Sequence, residues 1–197
     1  MASYQAIGAI SQAICRLLKN ASPQPEFSGA QFEVLQAADF QSSPPKIGDG
    51  VAVYLYRVGI NGSRRTQPAR IMPDGTRRRP PVPVDLHYLL TFWGRTAEKQ
   101  QHLLGWCLRM LHETPTLPVT LLNEFMPESG KFLANEQVEL ACEPMSLQDM
   151  SYMWDGMRSI LAVAFAARMV LIDSEIPLGE YALVQTRVLE VGVEQNV

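Results

Sequence analysis

Residues 160–173 read ILAVAFAARMVLID, and whether this stretch is helix or strand decides the fold. Its alanines would suit a helix. Period two settles the matter: Leu161, Val163, Phe165, Ala167, Met169 and Leu171 share one face, and Ala162, Ala164 and Ala166 lie on the other. Small side chains on that second face would let a helix pack close. The segment is predicted to be a long central strand.

Its neighbours follow from the same periodicity. Val84–Trp93 alternates Val84, Leu86, Tyr88, Leu90 and Phe92 on one face, a strand with a buried side. VAVYLYRVGI (Val51–Ile60) is rich in β-branched and aromatic residues, as a strand should be. Asn61-Gly62 after it reads as a hairpin turn, because both residues tolerate positive φ. Residues 64–72 would return from that turn and end at Pro73-Asp74-Gly75. Shorter strands are expected at 31–38, 119–125 and 137–143.

Residues 4–20 form an amphipathic helix, with Ile7, Ile10, Ile14, Leu17 and Leu18 at three- and four-residue steps. Thr96 caps a second helix over 97–112, whose inward face carries Leu103, Leu104, Cys107, Leu108 and Leu111. Ser146-Leu147-Gln148-Asp149 resembles a capping box and opens a short helix that Gly156 terminates. The layout is an α+β domain, a mostly antiparallel sheet with helices packed on one side. A natural boundary at Ser174–Pro177 separates residues 1–175 from 176–197. That closing extension holds strand-like pieces at 181–184 and 187–193 and is a candidate strand donor.

Composition narrows the function. The chain has 197 residues, 47% hydrophobic and 19% charged, which are globular values. Its three cysteines, Cys15, Cys107 and Cys142, are odd in number and unpaired by motif, which fits a reducing compartment. The longest apolar run, Ile160–Ile172, is too short to span a membrane, and no secretory signal is visible. A soluble chain is expected.

Catalytic signatures are missing. There is no phosphate loop, dinucleotide fingerprint or hydrolase elbow, and His87, His102 and His112 show no metal-protease spacing. Asp173 and Glu175 read as solvated strand-end carboxylates. The expected enzyme activity, metal and cofactor are all none.

The arginines stand out instead. Arg64, Arg65, Arg70, Arg77, Arg78 and Arg79 face only Asp74 in their window, so with a net charge of −3 the rest of the chain carries about −8. A solvated loop, nucleic-acid or lipid binding, and protein docking are the readings open to such a run. Docking is favoured by the exclusive use of arginine, which pairs bidentately with carboxylates. The prolines Pro80, Pro81 and Pro83 stiffen the base of the arm and reduce the entropy lost on docking. The predicted partner-binding residues are the six arginines with Pro80 and Pro81, on an arm projecting beyond the sheet.

The stretch PDGTRRRPPVPVDLHYLLTFWG and the helix ending LLGWCLRMLHETP carry a resemblance, with VAVYLYRVGINGSRR, EPMSLQDMSYMWDGM and ARMVLIDSE. Together they resemble the cap, or tube-terminating, proteins of extracellular contractile injection systems along most of residues 1–175. The resemblance implies a phage tail-terminator-like fold and a non-enzymatic role. It also implies a homohexameric ring that ends the inner tube and contacts the sheath, in a phage-tail-like particle assembled in the bacterial cytoplasm. No catalytic residue carries over. Partners would be the chain itself, the tube protein and the sheath protein, with no membrane and no nucleic acid. The alternative is a nucleic-acid-binding module using Arg64–Arg79.

Overall fold

The structure is a computed structural model and describes residues 2–41, 46–64, 66–72, 75–157 and 161–179. Its elements in chain order are α1 (Ala6–Ala21), β1 (Gln31–Val34), β2 (Gly50–Ile60), β3 (Arg70–Ile71), β4 (Arg77–Arg78) and β5 (Val82–Trp93). There follow α2 (Ala97–Glu113), β6 (Thr116–Leu117), α3 (Val119–Asn123), β7 (Val138–Glu143), α4 (Leu147–Met157) and β8 (Ala162–Ile172). Six strands form one sheet in the order β1-β2-β5-β8-β7-β6, with β1 parallel to β2 and every other pair antiparallel. The decisive segment is thus a strand, set between β5 and β7.

The helix-side core is built from the residues that periodicity selects. Val84, Leu86, Tyr88, Leu90 and Phe92 of β5 are all buried, beside Phe165 of β8, Ile10, Ile14 and Leu18 of α1, and Leu103, Cys107 and Leu111 of α2. Burial on this scale is the main term holding such a domain together, at roughly 25 cal/mol per Å² of apolar surface. Thr96 caps α2 as expected, its hydroxyl accepting from Lys99 N at 3.2 Å. One polar pair sits in this core: Ser11 Oγ and Tyr88 OH share a hydrogen bond of 3.0 Å, which satisfies both hydroxyls away from water. Burial pushes the Cys15 and Cys107 thiols up to about 12, so both are inert packing groups.

The alternation of β8 breaks once. Leu86 pairs with Ala167 but Val84 with Val170, so Arg168 and Met169 together oppose Asp85. Met169 takes the left-handed conformation, φ 65°. The bulge reverses the phase: buried Val170 faces the helix-side core in place of Met169. Met169 and Leu171, expected to share a face with Phe165 and Ala167, instead line a cleft with Arg70 and Glu136.

The alanine face carries no α1 or α2, against the expectation of a helix packed close there. Ala164 and Ala166 lie opposite Leu89 and His87 of β5, and the small side chains leave room for the histidine. That second face holds a smaller cluster of Leu35, Phe40, Ile47 and Ala52. Near it, α4 closes a cleft lined by Tyr56, Glu143 and Arg168.

Two further expectations differ. Residues 119–123 are helix, not strand, because a short apolar run after Pro118 has no periodicity to separate the two. Asn61-Gly62 makes no two-residue hairpin. β2 pairs directly with β5, and residues 61–81 form an insertion between them. No helix among the described residues is long and apolar enough to cross a membrane.

Candidate interaction surface

The insertion leaves the sheet through Asn61. Its side-chain oxygen accepts from Ser63 N at 3.1 Å, and its amide donates to both oxygens of Asp85 at 3.1 and 3.0 Å. Asp85 Oδ1 also accepts from Met169 N, so one carboxylate ties the exit of the insertion to the β8 bulge. This local capture replaces the expected turn.

The chain then forms a small hairpin. Arg70 pairs with Arg78 and Ile71 with Arg77, and the turn closes through Gly75 N to Met72 O at 2.9 Å. Gly75 has φ 81°, a conformation that glycine adopts without strain, and Pro73 and Asp74 of the expected turn lie outside the described residues. Residues 176–178 lie along the other side of β4. Arg79 N donates to Ile176 O at 3.1 Å and Leu178 N to Arg77 O at 2.8 Å. The chain therefore runs past the expected boundary at Ser174–Pro177 into a pairing with the arginine hairpin. The strand-like pieces expected at 181–184 and 187–193 lie outside the described residues.

Arg70 anchors this hairpin to the body. Its guanidinium donates to Asp173 Oδ1 at 2.7 Å and to Glu136 Oε1, and all three side chains are largely buried. Glu136 is itself held by Leu133 N at 2.7 Å. Burial works against the Arg70 charge, yet the two carboxylates outweigh it and leave the guanidinium pKa raised. Burial also pushes the Asp173 carboxyl above its ordinary value, opposed by Arg70. Its second oxygen, Oδ2, is buried without a hydrogen bond among the described residues. Asp173 is therefore no solvated strand-end carboxylate. Arg70, expected to meet a partner, is spent within the chain.

The remaining predicted residues divide by exposure. Arg77, Arg79 and Pro80 are exposed, Arg78 is half-buried and Pro81 is buried. Among the described residues Arg77, Arg78 and Arg79 form no ion pair. Arg64 ends a 3-10 turn over Gly62–Arg64, and Arg65 lies outside the described residues. The arm is thus a docked hairpin that presents Arg77 and Arg79, and its backbone is fixed by β3 on one side and residues 176–178 on the other.

A second polar cluster lay beyond the reach of motif reading. His87 is buried on the alanine face, with Nδ1 2.6 Å from Glu143 Oε2 and Nε2 3.2 Å from an Arg57 Nη2. Arg168 approaches Glu143 at 3.7 Å. Donation from Nδ1 to Glu143 leaves Nε2 to accept from Arg57, so neither ring nitrogen remains to act as a base. Burial, then the Glu143 charge, raises the pKa of the neighbouring Tyr56. Among the described residues no cluster of three or more histidine, cysteine or acidic side chains has metal-site geometry.

Two solved structures share the fold. A sheath/tube terminator of the PVC extracellular contractile injection system, in its extended state, aligns at TM-score 0.62 and 13% identity over 96% of this chain and 63% of that one. The tube-terminating cap of the anti-feeding prophage aligns at TM-score 0.56 and 16% identity over 92% of this chain and 60% of that one. The chain thus spans about three-fifths of the length of each. No curated protein matches it. Residues 9–186 match the family described as the Pvc16 N-terminal domain, a span that includes the sheet, the arginine hairpin and β8. The chain belongs to that family, and the resemblance to injection-system caps carried by the arginine-proline motif holds.

Proposed function

We propose that this chain is a non-enzymatic cap that ends the inner tube of a contractile, phage-tail-like injection particle. It acts as a homohexameric ring and holds the end of the sheath. The observation that carries this reading is the family match over residues 9–186, supported by a fold shared with a tube terminator and a tube-terminating cap. The occupied nitrogens of His87 support a role without catalysis. The particle is assembled in the bacterial cytoplasm, with the tube and sheath proteins as partners.

The physics suits a ring. Six copies present each weak contact six times, and effective concentration turns modest docking energies into firm attachment. Arg77 and Arg79 are suited to carboxylates on a neighbour or on the tube rim, because a backbone paired on both sides holds them and little ordering entropy is lost. The 176–197 extension acts as a strand donor through the residues that follow its pairing with β4 at 176–178. Nucleic-acid binding through the same arm finds no counterpart in the comparisons, and it loses Arg70 to the internal triad.

Reversing Arg77, Arg78 and Arg79 to glutamate tests the docking role. The variant is expected to stay folded, because these side chains make no ion pair among the described residues, and to lose ring formation or tube attachment. Circular dichroism checks the fold, and mass measurement with electron microscopy checks assembly. Unchanged assembly would show the three arginines to be bystanders.

A further inference from the structure

Among the described residues the sheet has one long open edge. β1 pairs with β2 only from Gly50 to Val53, and the last bond on that side is Leu35 N to Val53 O at 3.0 Å. From Tyr54 to Ile60 the outer backbone of β2 meets no strand among the described residues. Proteins usually blunt such an edge with short strands, proline, inward charges or bulges, and this edge carries one irregularity, between Leu55 and Arg57. Here Val58 and Ile60 are 48% and 70% exposed, although their register partners Leu86 and Val84 are buried in the helix-side core. Arg57 lies on the opposite face across from His87. It is exposed and in no ion pair among the described residues.

A strand added to this edge would need apolar side chains along one face, to cover Val58 and Ile60. It would need a carboxylate on the other face, to meet Arg57. Residues 187–194, RVLEVGVE, have that pattern: Leu189, Val191 and Val193 alternate with Glu190 and Glu194. Their eight residues are enough to span the seven open residues of β2.

We infer that residues 187–194 of a second copy add to the open edge of β2, covering Val58 and Ile60 and setting a glutamate against Arg57. This rests on the ring reading and names the contact that joins one subunit to the next. Main-chain hydrogen bonds supply the attachment, and Arg57 fixes which face of the donor strand turns toward it. Pairing in trans makes the same bonds as pairing within one chain, and it also links subunits.

Disulfide trapping in the full chain tests the inference. A Cys142→Ser background removes the exposed thiol, while Cys15 and Cys107 are buried and inert. Protein carrying Val58→Cys is mixed with protein carrying Leu189→Cys, Val191→Cys or Val193→Cys in turn, and oxidised. At least one mixture is expected to give a linked dimer about ten-fold above a control in which Ser151→Cys on α4 replaces Val58→Cys. Arg57→Glu is expected to remove that excess, and adding Glu190→Lys with Glu194→Lys to restore it. Yields equal to the control at all three positions overturn the inference. So does closure only within single chains carrying both cysteines. Rings that form without the link refute this contact and leave the cap reading standing, whereas a protein that stays monomeric refutes both.

Discussion

Replacing Arg70 with alanine is expected to cost the fold about 3–5 kcal/mol at neutral pH, the range for removing one partner from a buried ion pair. The change leaves Glu136 and Asp173 buried without the guanidinium they share, and Asp173 Oδ2 has no hydrogen-bond partner among the described residues. The Asp173 carboxyl, already above its ordinary value through burial, would lose the opposing Arg70 charge and rise further. A folded state with raised pKa values binds protons more tightly than the unfolded chain. The deficit is therefore complete above those values and shrinks as the pH falls through them. Asp173→Asn makes the contrast, because burial already pushes that carboxyl upward and the amide can still accept from Arg70. Its expected cost is about 1 kcal/mol or less. Chemical denaturation of both variants at pH 7 and pH 4.5 measures the asymmetry. Equal costs, or a loss at Arg70 that ignores pH, would show that the triad does not anchor the hairpin.

Gly50→Ala is the second large effect. Gly50 starts β2 with φ 144°, where side chains are strained. An added Cβ would stand 1.9 Å from Gln31 O and 2.7 Å from Gln31 N, which are backbone atoms of the paired strand β1. No rotamer change relieves that overlap, so β1 must move. The preceding residue cannot follow freely. Asp49 accepts from Arg95 N at 2.9 Å and from Lys99 Nζ at 3.0 Å, which binds the start of β2 to the cap of α2. The Lys99 hydrogen bond is the main reason that the Asp49 pKa is lowered. Loss of β1 pairing with strain of this kind should cost about 3 kcal/mol. For a domain of this size that is roughly a 10 °C drop in Tm. A calorimetric shift under about 2 °C would mean that β1 adapts without detaching.

Much of the fold can be read along the chain where the signal is local. The alternation of Val84–Trp93, the capping hydroxyl of Thr96 and the period of Leu161–Ala167 each depend on residues close in sequence. What escapes such a reading depends on partners far away. The Asn61-Gly62 pair has the composition of a hairpin turn, but Asp85 captures the asparagine from 24 residues downstream. The phase reversal at Met169 follows from a bulge opposite Asp85, and nothing in ARMVLI marks it.

The site shows the same division. The arginine cluster and its turn at Gly75 are visible in composition, whereas the fate of Arg70 is not. Its two acceptors are 66 and 103 residues away, and only the packed chain brings them together. The His87–Glu143 pair, 56 residues apart, escapes for the same reason. The open edge of β2 is invisible until strand order is known, because VAVYLYRVGI reads alike as a central or an edge strand.

As the proposed cap, this chain stops a growing tube by docking to other proteins and transforms no molecule. Electron microscopy of particles assembled in cells lacking the gene tests it most directly, through the distribution of tube lengths. Tubes of irregular length, with sheath ends that are unfinished or detached, are expected. Contractile particles of normal, uniform length would contradict the cap reading.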